Sequence, residues 1–165
     1  MLGLCLIEKV IFMLIQEIYR PASVTIQVNK TVSQALSLCL EKKVNALIVV
    51  NTAGKVVGVI SVQDIAAATI PRQFRQNLGM AAAMYTRGFF HEMCREIAQK
   101  PVTAIMRRQF ESVNLKDNIM SVTAEFLKND LYIVPVIEKG ELIGIVTRSQ
   151  IKKAIAHGMG LVDKS

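Results

Sequence analysis

Ser61 and Asp64 place a hydroxyl and a carboxylate three residues apart in Gly58-Val59-Ile60-Ser61-Val62-Gln63-Asp64. Thr147 and Gln150 place a hydroxyl and an amide at the same spacing in Gly144-Ile145-Val146-Thr147-Arg148-Ser149-Gln150. Both stretches read as the end of an apolar strand running into a helix. A helix N-terminus offers unpaired N–H groups and a partial positive charge, which suits a phosphate. An ionised carboxylate only accepts hydrogen bonds, so Asp64 can take both protons of a diol, whereas Gln150 accepts at one end and donates at the other. The two junctions are therefore expected to be unequal, with the Asp64 junction the stronger. Arg148 reads either as a cation for a phosphate or as an exposed helix residue. Gly58 is expected to clear space for a ligand's approach. The same residues also form plain capping boxes, in which the hydroxyl and the side chain three residues on satisfy backbone donors. Spacing alone leaves both readings open.

Other chemistry finds little support. No Ser/His/Asp or Cys/His set and no phosphate loop of standard Gly-rich spacing is visible, so no catalytic residue is assigned and an enzyme is not expected. His91 and Cys94 are three apart on a helical pattern, but two ligands without a third make no metal site. Three cysteines, Cys5, Cys39 and Cys94, show neither paired nor metal-type spacing, and a reducing, cytoplasmic setting fits them best. The chain has 165 residues, 52% of them hydrophobic, with mean hydropathy +0.36, which is too apolar for a disordered regulator. No uninterrupted apolar run approaches the ~20 residues of a membrane span. A net charge of +7 favours an anionic partner: a nucleotide phosphate, a nucleic acid or an acidic protein surface. Arg72, Arg75, Arg107, Arg108, Lys152 and Lys153 motivate the nucleic-acid reading, but they are scattered and lack aromatic company, so a solvated surface fits better.

The elements that must hold the two junctions are written twice. Ile18-Tyr19-Arg20 matches Ile105-Met106-Arg107, and Ser23-Val24-Thr25-Ile26 matches Phe110-Glu111-Ser112-Val113, all expected to be short and extended. Thr31 with Gln34 forms a capping box and Asn118 holds the matching cap position. Val32, Ala35, Leu36, Cys39 and Leu40 then recur on one helical face, as do Ile119, Val122, Thr123, Phe126 and Leu127, which makes Cys39 a core residue. Apolar runs over residues 46–50 and 56–60 predict a hairpin, repeated over 132–137 and 142–146, and each copy ends in a helix, over 62–70 and 148–156. The fold class is α/β (α+β): two βαββα repeats packed sheet to sheet, because the strands are apolar on both faces and need a second layer. Residues 13–70 and 101–158 are the repeats and 159–165 a tail. Residues 71–100 are a helical insert broken at Gly88, whose Phe90, Met93, Cys94 and Ile97 stripe docks on the repeats or on a second subunit. Residues 1–12 have no counterpart. They read as an amphipathic dimerising or membrane-touching helix, or as upstream sequence ahead of a start at Met13; early charges and the lack of a small-residue cleavage site argue against a signal peptide.

The doubled hairpin ending in Gly-apolar-apolar-Ser/Thr, with Asp64 three residues beyond Ser61, resembles a tandem pair of CBS domains, the family named after cystathionine β-synthase. The resemblance implies a regulator that binds AMP, ADP or ATP, or in some members S-adenosylmethionine, NAD or cyclic dinucleotides, in clefts between the repeats. It implies that Asp64 accepts the ribose hydroxyls, that Ser61 and its helix meet the phosphate, and that segments around Val24, Thr25 and Ile26 and around Ala46 and Leu47 sandwich the adenine. Thr147, Arg148, Gln150 and Ile133 are assigned to the second copy's site. The expected function is a sensor of an adenine nucleotide that signals to an effector protein or within a homodimer. The alternatives are a ligand-independent interaction scaffold using the Phe90/Met93/Ile97 face, and a nucleic-acid binder.

Overall fold

The computed structural model describes residues 13–162. The expectations for residues 1–12, Cys5 included, lie outside these residues. The first repeat holds β1 (Thr25–Gln27), α1 (Val32–Lys42), β2 (Ala46–Val50), β3 (Val56–Ser61) and α2 (Val62–Ala68). The insert holds α3 (Leu78–Met84) and α4 (Arg87–Ala98). The second repeat holds α5 (Ile119–Lys128), β4 (Ile133–Glu138), β5 (Glu141–Thr147) and α6 (Arg148–Gly158).

Each long helix starts where its cap dictates. The Thr31 hydroxyl accepts from the Gln34 N–H at 3.3 Å while the Gln34 amide oxygen accepts from the Thr31 N–H at 3.0 Å; Asn118 accepts from the Met120 N–H at 2.7 Å. Such caps contribute about 1 kcal/mol each. Val32, Ala35 and Cys39 of α1 and Ile119, Val122 and Phe126 of α5 are buried, as their spacing predicts. Leu40 and Leu127, assigned to the same stripes, are 73% and 82% exposed. They lie one position past Cys39 and Phe126, which rotates them off the sheet-facing side.

In the first repeat β1 pairs in parallel with β2, and β2 pairs antiparallel with β3. The second repeat keeps only the β4–β5 hairpin, and the expected first strand around Val113 shrinks to one parallel bridge with Val136. Pro135 explains the loss. In the first repeat the Ile48 N–H donates to the Val24 carbonyl at 3.1 Å. Pro135 occupies the matching position and has no N–H to give to Glu111.

Alternation along β2 divides its side chains between two cores. Leu47 and Val49 face α1 and α4 in the first repeat's own cluster, whereas Ala46, Ile48 and Val50 meet Val59, Ile133 and Ile145 between the two sheets. The sheets thus pack face to face as expected.

The segments expected to be extended ahead of each first strand, residues 18–20 and 105–107, follow 3-10 turns at Ile15–Glu17 and Val102–Ala104 and are extended only as far as one bridge residue each, Arg20 and Arg107; each turn and bridge belongs to the other repeat's structure. The Ile15 N–H donates to the Asp117 carbonyl at 2.9 Å, and Arg20 exchanges two 2.9 Å hydrogen bonds with Ile145. Reciprocally, Val102 N–H donates to Lys30 at 2.9 Å, and Arg107 exchanges hydrogen bonds of 2.8 and 3.1 Å with Val59. Ile15 is buried in the second repeat's core and Val102 in the first's.

The insert is helical, but its break falls at Tyr85–Thr86, where Thr86 caps α4 through the Phe89 N–H at 3.2 Å; Gly88 lies inside α4. The Tyr85 hydroxyl donates to the Thr69 carbonyl, tying the insert back to the end of the first repeat. Ile97 is buried in the first repeat's core, while Phe90 is 43% exposed. Burial also raises the Cys39 thiol above its ordinary pKa, which keeps it protonated near neutral pH. Site-resolved labelling of native protein with a thiol reagent should therefore modify half-buried Cys94 well before Cys39, and Cys39 should react freely only after unfolding. Equal rates in the native state would contradict this placement.

Candidate functional site

At the end of β3 the backbone turns from strand to helix at Ser61, which is buried. The Ser61 hydroxyl donates to Asp64 Oδ2 at 2.6 Å and accepts from the Asp64 N–H at 3.1 Å, and the Ser61 N–H donates to the same Oδ2 at 2.8 Å. The other carboxylate oxygen is also engaged: Arg107, brought across by the second repeat's leading segment, donates from Nε to Oδ1 at 2.8 Å. The Asp64 side chain is only 12% exposed. A diol at this carboxylate has to displace the guanidinium. Beside it, the Tyr132 hydroxyl donates to Gln63 Oε1 at 2.9 Å.

Gly58 does not clear space for a ligand. A Cβ there would lie 2.8 Å from the Arg107 carbonyl oxygen and 3.0 Å from Met106 Sδ. At Gly144 it would lie 2.4 Å from the Arg20 carbonyl oxygen and 2.7 Å from Tyr19 Cδ2. Both glycines admit the backbone of the opposite repeat's leading segment, a demand of packing between repeats.

The Thr147 junction has the same cap and a different outcome. Gln150 Oε1 accepts from the Thr147 N–H at 3.1 Å and from the Thr147 hydroxyl, which in turn accepts from the Ser149 N–H at 3.2 Å. This junction opens onto a cleft of about 360 Å³ between the repeats. The cleft gathers six residues named from the sequence, Val24, Ala46, Ile133, Thr147, Arg148 and Gln150, from both repeats. Thr25 is exposed on β1, while Ile26 and Leu47 are buried in the first repeat's own core, on the side of their strands that faces α1. Ser61 and Asp64 belong to the opposite junction.

Sequence reasoning missed Arg20, Lys43, Asn45 and Tyr132, all of which line the cleft. Lys43 closes α1 in the left-handed conformation, φ 54°, which marks the turn into β2. Arg148 is held in place by three contacts: Nε to the Leu131 carbonyl at 3.0 Å, an amino group to Asp130 at 2.6 Å, and its guanidinium 4.4 Å from the Tyr132 ring centre. The last is cation–π geometry. The cleft walls therefore combine apolar surface (Val24, Ala46, Ile133, Ile145, the Tyr132 ring) with three cations, Arg20, Lys43 and Arg148, and the neutral polar groups of the α6 N-terminus. A flat apolar ring system carrying an anionic tail matches that combination.

A second cavity of about 210 Å³ lies by α5 and is lined by Glu111, Asp117 and Glu125, so it disfavours anions. Among the described residues no group of three His, Cys, Asp or Glu side chains is placed to hold a metal ion, and no helix is long and apolar enough to cross a membrane. Of the scattered basic residues, Arg107 is neutralised by its ion pair with Asp64, while Arg75 and Arg108 each donate one hydrogen bond to a main-chain carbonyl, of Ile70 and Thr103, and keep their charge.

The comparisons agree with this architecture. The CBS domain family model matches residues 15–70 and 102–157. No curated protein sequence matches the chain. Among solved structures, the CBS-domain containing protein ATU1752 from Agrobacterium tumefaciens is similar with TM-score 0.69 and 17% identity, covering 89% of this chain and 96% of that one. The CBS domain pair of protein MJ0100, in complex with 5′-methylthioadenosine and S-adenosyl-L-methionine, gives TM-score 0.67 and 22% identity over 89% of this chain and 98% of that one. CBSX2 in complex with AMP gives 0.65 and 23% over 88% and 98%. With a family model matching both repeats and the same fold in these structures, the chain belongs to the CBS domain family and carries a tandem CBS pair.

Proposed function

We propose that this CBS pair is a regulatory module, without catalytic activity of its own, that binds an adenosine-type ligand in the cleft at Thr147 and Gln150 and passes the ligand state to a partner protein or across a homodimer. The observation that carries the reading is the cleft itself, which brings together apolar strand residues of both repeats, the cations Arg20, Lys43 and Arg148, and a helix N-terminus. Related CBS pairs solved with AMP, and with methylthioadenosine and S-adenosylmethionine, support the ligand class. This ranking reverses the one drawn from the sequence, which favoured Asp64. The reason is that both Asp64 oxygens are already engaged within the protein.

Ligand binding between the repeats also gives a route for signalling, since a molecule held there meets β2 of the first repeat, β4 and β5 of the second and the leading segment at Arg20, and so favours one arrangement of the repeats. Melting curves with adenosine, AMP, ADP, ATP and S-adenosylmethionine test the reading. A ligand at one hundred times its dissociation constant should stabilise the chain by about 2.7 kcal/mol, a rise of roughly 5–10 °C for a chain of this size. Exposed Ala22 lines the cleft, so Ala22→Trp should fill it and abolish the rise without unfolding the protein. An unchanged melting temperature with every compound, or an Ala22→Trp variant that responds like the parent, would count against the reading.

The scaffold reading finds its best support in Leu40 and Leu127, which stand exposed at matching places on α1 and α5 with Met120, 70% exposed, nearby on α5. The Phe90/Met93/Ile97 face supports it less, because Ile97 is used inside the first repeat. Assembly that is indifferent to nucleotide would favour it.

A further inference from the structure

We infer that the Gln150 cleft selects its ligand by phosphate charge, because glutamine in place of aspartate leaves Arg20 uncompensated where its counterpart Arg107 is neutralised. The inference rests on the ligand class proposed above and names what that site discriminates.

Arg20 and Arg107 hold matching positions. Each exchanges two backbone hydrogen bonds with the residue that follows the close-approach glycine of the other repeat, Ile145 after Gly144 and Val59 after Gly58. Each side chain therefore starts from the same place relative to a capped strand-to-helix junction. At Arg107 the third residue of the helix is Asp64, whose Oδ1 takes the guanidinium at 2.8 Å, and a second, longer contact of 3.5 Å reaches the Asn129 carbonyl. The charge is cancelled inside the protein. At Arg20 the third residue is Gln150, which is neutral and whose Oε1 is consumed by the Thr147 N–H and hydroxyl. Among the described residues no ion pair or hydrogen bond engages the Arg20 guanidinium, and the Lys43 ammonium is likewise without one.

The charge balance of the cleft follows. Arg20, Lys43 and Arg148 line it and no carboxylate does. Arg148 is offset by Asp130, which leaves two cations facing a concave, partly apolar space. A cleft lined by one sign of charge concentrates its field, and charge-assisted hydrogen bonds to phosphate are about twice as strong as neutral ones. Each phosphate added to an adenosine ligand gains a cation here. A sulfonium, as in S-adenosylmethionine, meets the same cations at a cost, although its aminoacyl carboxylate recovers part of it. The Asp64 junction lacks this selection, since its arginine is already paired.

Titration calorimetry with adenosine, AMP, ADP, S-adenosylmethionine and the uncharged 5′-methylthioadenosine tests the inference. Affinity should rise from adenosine to AMP to ADP, and S-adenosylmethionine should bind no better than methylthioadenosine. Arg20 is exposed, so Arg20→Gln should fold; it should cut the ADP-to-adenosine affinity ratio about tenfold, equivalent to about 1.4 kcal/mol. Gln150→Asp keeps the capping box, as Asp64 shows, and rebuilds the internal pair, so it should cut the ratio similarly and raise S-adenosylmethionine relative to methylthioadenosine. Equal affinity for adenosine and ADP in the parent, or ratios unmoved by both substitutions, would overturn charge selection while leaving adenosine binding intact. Failure of every compound to bind would overturn the ligand class and this inference with it.

Discussion

Gly144→Ala should lower the melting temperature by roughly 6–12 °C, the equivalent of about 3 kcal/mol in a chain of this length. A methyl group there would lie 2.4 Å from the Arg20 carbonyl oxygen and 2.7 Å from the Tyr19 ring. The oxygen is part of the backbone and cannot swing away as a flexible side chain would. The leading segment must retreat, which lengthens or breaks the paired 2.9 Å hydrogen bonds between Arg20 and Ile145. Overpacking costs about 1–3 kcal/mol, and each net hydrogen bond about 1 kcal/mol more. Gly158, where a Cβ meets nothing within 4 Å, is the control, and Gly158→Ala should leave the melting temperature nearly unchanged. Thermal unfolding followed by circular dichroism separates the two. Because Arg20 lines the cleft, Gly144→Ala should also weaken ligand binding at temperatures where the variant remains folded.

Ile48→Ala is expected to cost about 3 kcal/mol, within the range of about 2–5 kcal/mol for removing this much buried side chain. Ile48 is fully buried between the sheets, against Val59 in its own repeat and Ile133 and Ile145 in the other. The lost methyl groups leave a void shared by both repeats. Unfolding should accordingly remain a single transition with a lower midpoint in urea, monitored in parallel by circular dichroism and by tyrosine fluorescence, Tyr19 and Tyr132 lying against the second repeat and the cleft. Two resolved transitions would mean that the repeats fold independently and that this interface matters less than its burial implies. Leu127→Ala, at a site 82% exposed, should change stability by no more than about 0.5 kcal/mol.

Much of this fold is local and so is legible in residue order. The caps at Thr31, Asn118, Ser61 and Thr147 each lie within three residues of the groups they satisfy, and the burial of Val32, Ala35 and Cys39 follows from helical spacing. Pro135 could have been read too, since a residue without an N–H cannot complete the parallel pairing that Ile48 makes. What could not be read was partner choice. A three-residue turn such as Ile15–Glu17 carries no periodicity, and nothing in its composition says which of two similar sheets it will meet. The pairing of Arg107 with Asp64 spans 43 residues of sequence and depends on that choice. Asp64 therefore looked like a vacant acceptor because the residue that occupies it arrives from the other repeat. The same blindness hid Arg20 from the list of cleft residues, although its match to Arg107 was on view.

The exchanged leading segments amount to a domain swap performed within one chain. Each half lends the other a buried anchor, Ile15 or Val102, and a backbone strip that fills the notch above a glycine. A half alone would have an open notch, an unsheltered sheet face and a core missing its anchor. Duplication is thus a condition of folding for this unit: two halves must be present at once, whether joined or separate. Of the 30 residues that join them, 71–100, α4 adds Ile97 to the first repeat's core, and the rest need only be long enough to let the exchange occur, a regime in which loop length costs little. That freedom leaves the rest of the connection open to elaboration into a helix such as α3, with little risk to the cleft that the two halves build together.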